Sequence, residues 1–99
     1  MQQLTVKQCQ YLKGLAHDLQ VVVMVGNKGL TKAVIDEIEV NLAAHELIKI
    51  KVLGNDRELR ATMIDEICAA TAGAQFVQHL GKLLIIYRPA VKPQIVLPK

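Results

Sequence analysis

Val21-Val22-Val23-Met24-Val25-Gly26-Asn27-Lys28-Gly29-Leu30-Thr31 is the stretch of this 99-residue chain from which the other elements can be ordered. Its first five residues form an unalternated, mostly β-branched run of strand length, the pattern of a strand covered on both faces. Gly26 and Gly29 then bracket a short loop, and a second helix is predicted to begin near Thr31. Val34, Ile35, Ile38 and Leu42 recur at helical spacing toward a core, leaving Lys32, Asp36, Glu37 and Glu39 to water.

Upstream, Thr5 is placed to cap a first helix running to about His17. Val6, Cys9, Leu12, Leu15, Ala16 and Leu19 make its apolar stripe. Gly14 costs about 1 kcal/mol of helix propensity relative to Ala, so the stripe has to hold this helix. Downstream, Leu47–Val52 alternates, with Ile48, Ile50 and Val52 on one face and Lys49 and Lys51 on the other: a half-buried strand with a basic outer face. Gly54-Asn55-Asp56 reads as a turn whose Asn55 or Asp56 caps a third helix over about Arg57–Ala72. Leu59, Met63, Ile64, Ile67 and Cys68 line its inner side, and Gly73 stands where a left-handed residue ends a helix. Gln75–Leu80 and Lys82–Tyr87 follow as two strands of a tight hairpin, separated by Gly81.

The order α-β-α-β-α-β-β predicts an α/β domain of the α+β two-layer type with a mixed four-stranded sheet. Both strand–helix–strand connections are expected to be right-handed crossovers between parallel neighbours, with the last strand antiparallel to its partner. Residues 1–88 are read as one domain. Residues 89–99 contain all three prolines and no acid, the composition of an extended basic tail outside any central strand.

Composition narrows the function classes. At 52% hydrophobic, with one Phe, two Tyr and no Trp, the chain has an aliphatic core and is not a disordered segment. Its apolar runs fall far short of the roughly 20 residues of a membrane helix. No signal-peptide pattern opens it, so a cytoplasmic protein with no membrane association is expected. Cys9 and Cys68 belong to no Cys-x-x-Cys pair and read as inert thiols of a reducing compartment. Charge is segregated along the chain. Residues 1–35 carry four lysines against Asp18, residues 36–66 carry eight acids against four basic residues, and residues 67–99 carry four basic residues and no acid. If the basic ends meet in the fold, they offer a polyanion a landing surface.

The loop is where such an anion would dock. Glycines permit close backbone approach, the start of the following helix presents free N–H groups and the positive end of its dipole, and Lys28 and Lys32 add charge. A Walker loop would need Ser or Thr after Gly-Lys, and a Rossmann fingerprint a third glycine; neither is present. A four-residue glycine–x–x–glycine loop is what KH domains use to clamp a nucleic-acid backbone, but between two helices. Here a strand precedes it, so the chemistry carries across and the fold does not.

Leu4-Thr5, Lys7-Gln8, Tyr11-Leu12, Leu15-Ala16-His17, Val25-Gly26-x-x-Gly29-Leu30-Thr31, His45-Glu46-Leu47-Ile48-Lys49 and Tyr87-Arg88-Pro89 together resemble the CRM (chloroplast RNA splicing and ribosome maturation) domain, in its stand-alone bacterial YhbY-like form. The resemblance covers about residues 4–89. It implies a fold like the C-terminal domain of bacterial translation initiation factor three, and RNA as partner, in particular precursors of the large ribosomal subunit. It places the family's loop on Gly26, Asn27, Lys28 and Gly29. The basic residue of that loop usually follows the first glycine directly, whereas here Asn27 holds that place.

The expected reading is a monomeric, non-catalytic RNA-binding protein without cofactor or metal. Gly26, Asn27, Lys28, Gly29 and Lys32 form its contact, extended by Lys49, Lys51, Lys82 and Arg88. Arg57 and Arg60 are read as salt-bridge partners of nearby acids, Tyr11 and Tyr87 as core residues, and His17 as a packed or capping imidazole. Two alternatives stand beside it. One is an adaptor that pairs with proteins through an exposed sheet edge. The other is an enzyme on a phosphorylated small molecule, disfavoured because the chain has no Ser and its acids lie on polar helix faces.

Overall fold

The computed structural model describes residues 4–26, 29–53, 57–71, 74–90 and 95–97. In chain order the elements are α1 (Val6–His17), β1 (Val21–Val25), α2 (Lys32–His45), β2 (Leu47–Val52), α3 (Arg57–Ala70), β3 (Gln75–Leu80) and β4 (Leu83–Tyr87). This is the order read from the sequence, a mixed four-stranded sheet with three helices. Two boundaries move. The third helix ends at Ala70 instead of Ala72, and the hairpin turn is Gly81-Lys82 instead of Gly81 alone. Gly81 has φ +60° and Lys82 does not have positive φ, the pattern of a type II′ hairpin. The predicted turn at Gly54–Asp56, the stop at Gly73 and the side chains of Arg57, Leu59 and Arg60 lie outside the described residues.

Thr5 begins α1 as expected. Its hydroxyl accepts the Gln8 N–H at 3.1 Å, and the Gln8 side chain accepts the Thr5 N–H at 3.0 Å, a complete capping box. Loss of such a cap costs about 1 kcal/mol, and 1 kcal/mol moves the melting temperature of a domain this size by roughly 4–8 °C. Thr5→Ala is therefore expected to melt about that much lower in a calorimetric scan.

The strand order is β1-β2-β4-β3. β1 and β2 are parallel neighbours across α2, as the crossover rule requires, and β4 is antiparallel to both β2 and β3. One expectation fails: β2 and β3 run parallel but are not neighbours, because β4 is inserted between them. The physical reason is in β4 itself. Leu84 and Ile86 are buried on one face and Ile85 and Tyr87 on the other, so Leu83–Tyr87 is apolar on both sides and takes an interior position. β3, with Gln75, Gln78 and His79 and an exposed Phe76 and Leu80, remains at the edge.

A second expectation also fails. β1 is not covered on both faces: Val23 and Val25 are buried, while Val21, Val22 and Met24 are exposed. The strand lies at the sheet's other edge, and only its α2 side is fully packed.

The main core lies between the sheet and α2 and α3. There Val23, Val25, Ile48, Ile50, Val52, Leu84 and Ile86 meet Ile38, Leu42, Met63, Ile64 and Ile67. α1 lies on the opposite face, where Leu12 and Ala16 pack on Leu47, Val77, Ile85 and Tyr87. As the one described helix there, α1 buries only Leu12 and Ala16 fully; Val6, Leu15 and Leu19, read as part of its stripe, stay exposed. Ile95 and Leu97 of the tail pack against this second cluster.

The corner between α2 and β2 is held by Glu46, a buried residue with φ +66°. Its N–H donates to the Leu42 carbonyl at 2.9 Å, its carbonyl accepts the Arg88 N–H at 2.8 Å, and its carboxylate accepts the Ile95 N–H at 3.3 Å.

Candidate functional site

Because β1, β2 and β3 run in one direction and β4 in the other, the C-terminal ends of three strands meet the start of the fourth at one end of the sheet. The Gly26–Gly29 loop leaves β1 there. The Leu53 N–H donates to the Val25 carbonyl at 2.9 Å, and the Val52 N–H to the Lys82 carbonyl at 2.8 Å. Those bonds tie the loop's root, the end of β2 and the hairpin turn into one rim. Lys82 is exposed on that rim, Lys51 is half-buried next to it, and Lys32 is exposed in the first turn of α2.

The loop closes on itself through the Gly29 N–H, which donates to the Gly26 carbonyl at 3.0 Å. Gly29 has φ +77°, a conformation in which a side chain is strained. Gly26 is not in that region. A Cβ added at Gly26 would meet no atom of the described residues within 4 Å, so none of them demands glycine there. Thr31 caps α2, its hydroxyl accepting the Val34 N–H at 3.3 Å. Asn27 and Lys28 lie outside the described residues.

From this rim the α1 side of the sheet continues as two cross-strand rows. Met24, Lys51, Leu83 and Leu80 are paired across the first, and Lys49, Ile85 and Gln78 across the second. Lys49 and Lys51 thus occupy the predicted face, opposite Ile48, Ile50 and Val52. They are half-buried on a central strand rather than fully exposed on an outer one. α1 covers only the far part of this face. Where it stops, a groove of about 380 Å³ opens between Lys13, Gly14 and His17 of α1 and Lys49, Gln78, Leu80 and Leu83 of the sheet.

Arg88 is not brought to this end. It follows β4 at the opposite end of the sheet, where its Nη1 lies 2.7 Å from Glu39 Oε2. The fold brings Gly26, Gly29, Lys32, Lys51 and Lys82 together, sets Lys49 one row behind, and leaves Arg88 bracing α2 to the end of β4.

Four acids of the middle segment lie on the helices that pack on the other face of the sheet from Lys49 and Lys51. Asp36, Glu37, Asp65 and Glu66 are exposed on α2 and α3, across the sheet from α1. Of the two tyrosines, Tyr87 is in the core as expected, and Tyr11 is 42% exposed on α1. Burial, and after it the Glu46 carboxylate, raises the Tyr87 phenol above its usual pKa. Burial followed by Asp65 raises the Cys68 thiol, which keeps it in the unreactive protonated form. Among the described residues no group of His, Cys, Asp and Glu is placed to hold a metal ion, and no helix is long and apolar enough to cross a membrane.

Sequence reasoning missed the groove. Lys13 and His17, four residues apart on one side of α1, were a usable signal. Which sheet residues they would face depends on the strand order, above all on the placement of β4.

Residues 4–88 match the family model of the CRS1 / YhbY (CRM) domain. Over 99 residues, all of this chain and 99% of the relative, the sequence is 50% identical to an RNA-binding protein of Haemophilus influenzae. It is 39% identical to a probable RNA-binding protein of Pseudomonas aeruginosa, over 91% of this chain and 86% of that one. It is 33% identical to the probable RNA-binding protein YqeI of Bacillus subtilis, over 96% and 99%. The solution structure of a hypothetical protein from Staphylococcus aureus superposes with a TM-score of 0.82 at 33% identity, covering 97% of this chain and 100% of that one. With the family model spanning nearly the whole folded region, this chain belongs to the CRS1 / YhbY (CRM) domain family.

Proposed function

We propose that this protein is a non-catalytic RNA-binding protein whose primary contact is the rim formed by Gly26, Asn27, Lys28 and Gly29 with Lys32, Lys51 and Lys82. The observation that carries this reading is the convergence of a glycine-bracketed loop, a helix start and lysines from three separate elements at one end of the sheet. Phosphate is the group such a rim suits: backbone N–H donors and a helix dipole favour it, and lysines neutralise its charge. The relatives named as RNA-binding proteins make RNA the phosphate polymer in question. Asp65 and Glu66, exposed on α3 across the sheet from Lys49 and Lys51, repel the same polymer and so orient the protein on it. We place the protein in the cytoplasm as a monomer acting on precursor RNA of the large ribosomal subunit.

Neutralising about four phosphates by Lys28, Lys32, Lys51 and Lys82 corresponds to a slope of log affinity against log salt of roughly −3 to −4. Affinity is then expected to fall roughly a hundredfold between 50 and 200 mM salt. Titration of a labelled ribosomal RNA fragment by fluorescence anisotropy measures this; a flat response would rule out the phosphate rim. The ribosomal assignment is tested separately, by crosslinking in cells and sequencing the bound RNA. Enrichment of large-subunit precursor sequence is expected, and reads spread evenly over messenger and transfer RNA would refute it.

A further inference from the structure

We infer that the groove between α1 and the open face of the sheet is a second RNA subsite, which takes a single-stranded segment running on from the structured RNA held at the loop rim. The inference rests on the function proposed above and adds a strand path to it.

Three observations carry it. The groove is continuous with the rim, since Leu83 and Leu80 line it and belong to the Met24–Lys51–Leu83–Leu80 row at the loop end of the sheet. Its walls are complementary to a nucleotide chain. Lys13 and Lys49 stand on the two sides, Gln78 offers both a donor and an acceptor, and no Asp or Glu is among its described lining residues. Leu80 and Met24, 61% and 58% exposed, provide apolar surface beside those cations for sugar and base faces. Asp18 is the lone acid of the first 35 residues and follows His17 at the helix end.

Size selects the ligand. At about 380 Å³ the groove is at the low end of the roughly 300–1,000 Å³ range of small-ligand clefts. That suits an unstacked nucleotide. A duplex keeps its bases inside and presents only its backbone and a wide shallow groove, so it can meet the rim but not enter here. Aromatic stacking plays no part, because none of the groove's described lining residues is aromatic.

The test uses the full chain and two RNA probes, a hairpin and the same hairpin with an eight-nucleotide single-stranded extension. Wild-type protein is expected to bind the extended probe about tenfold more tightly. Gly14→Leu fills the groove without changing charge; a Cβ at Gly14 meets nothing within 4 Å, and Leu favours the helix. Lys13→Glu reverses the charge of an exposed wall. Each variant is expected to lose the tenfold gain, keep wild-type affinity for the bare hairpin, and melt as a folded protein. Photo-crosslinks from thiouridine in the extension are expected on residues 13–17 and 78–83. The subsite is overturned if the extension gives no gain, if the gain survives both variants, or if both probes weaken equally. Failure of every RNA probe to bind would instead sink the proposed function, and the subsite with it.

Discussion

Lys28→Glu is expected to lower affinity for structured RNA by roughly a hundredfold while leaving the protein folded. Lys28 lies between two glycines whose turn is closed by the Gly29 N–H on the Gly26 carbonyl, and it is the basic residue of that turn. A hydrogen bond to a charged group contributes about 1.5–3 kcal/mol, and every 1.4 kcal/mol is tenfold. Reversal of the charge adds repulsion from the same phosphate, which places the effect at the upper end. Exposed loop substitutions usually change stability by less than about 0.5 kcal/mol, so the melting temperature should move by only about 2–4 °C. The measurement is cosedimentation with pre-ribosomal particles alongside a melting curve. Unchanged cosedimentation by a folded variant would remove the loop as the contact. If Asn27 were the residue aimed at phosphate, Asn27→Lys would strengthen binding and Lys28→Glu would do little, so the pair of variants also fixes which loop position carries the charge.

The largest stability effect is expected from Leu84→Ala. Leu84 is fully buried, lies on the interior strand β4, and packs in the main core with Ile50 and Ile86. Leu-to-Ala changes in such sites cost about 2–5 kcal/mol, the spread reflecting how far the cavity collapses. Domains of this size are stable by about 5–15 kcal/mol in total, so the variant loses a large fraction of its stability. Urea titration should show a clearly lower midpoint with little change in slope. The equivalent change at Leu80, 61% exposed at the groove mouth, is expected to cost less than about 0.5 kcal/mol.

Much of this was legible in the residues. The capping box at Thr5, the alternation of Leu47–Val52 and the helical spacing of Val34, Ile38 and Leu42 are local patterns, and local patterns fixed every element to within a few residues. The strand order was not local. An unalternated apolar run signals burial on both faces, and the chain has two of them, Val21–Val25 and Leu83–Tyr87. The signal was assigned to the first and belonged to the second. Periodicity counts apolar faces; it does not say which strand a helix will leave half uncovered. The candidate site followed the same division. Gly26, Gly29, Lys32, Lys51 and Lys82 were recognisable one by one. Arg88 was grouped with the loop by residue type, although the predicted antiparallel hairpin already carries the end of β4 away from it, and Lys13 was overlooked because its partners come from strands more than 30 residues away.

The insertion of β4 has a consequence for how the molecule comes into being. Ribosomes deliver the chain from its N-terminus, and domains generally fold as units once their parts are present. Here the strand that bonds to both β2 and β3 is the last of the four to be made. Until Tyr87 has left the exit tunnel, β3 has no neighbour, the main core lacks Leu84 and Ile86, and α1 has no Ile85 or Tyr87 to rest on. The Lys82 carbonyl that ties the rim together arrives with the same segment. Nascent chains halted before that point should therefore be protease-sensitive and unable to hold RNA, and both properties should appear together over the few residues that complete the sheet.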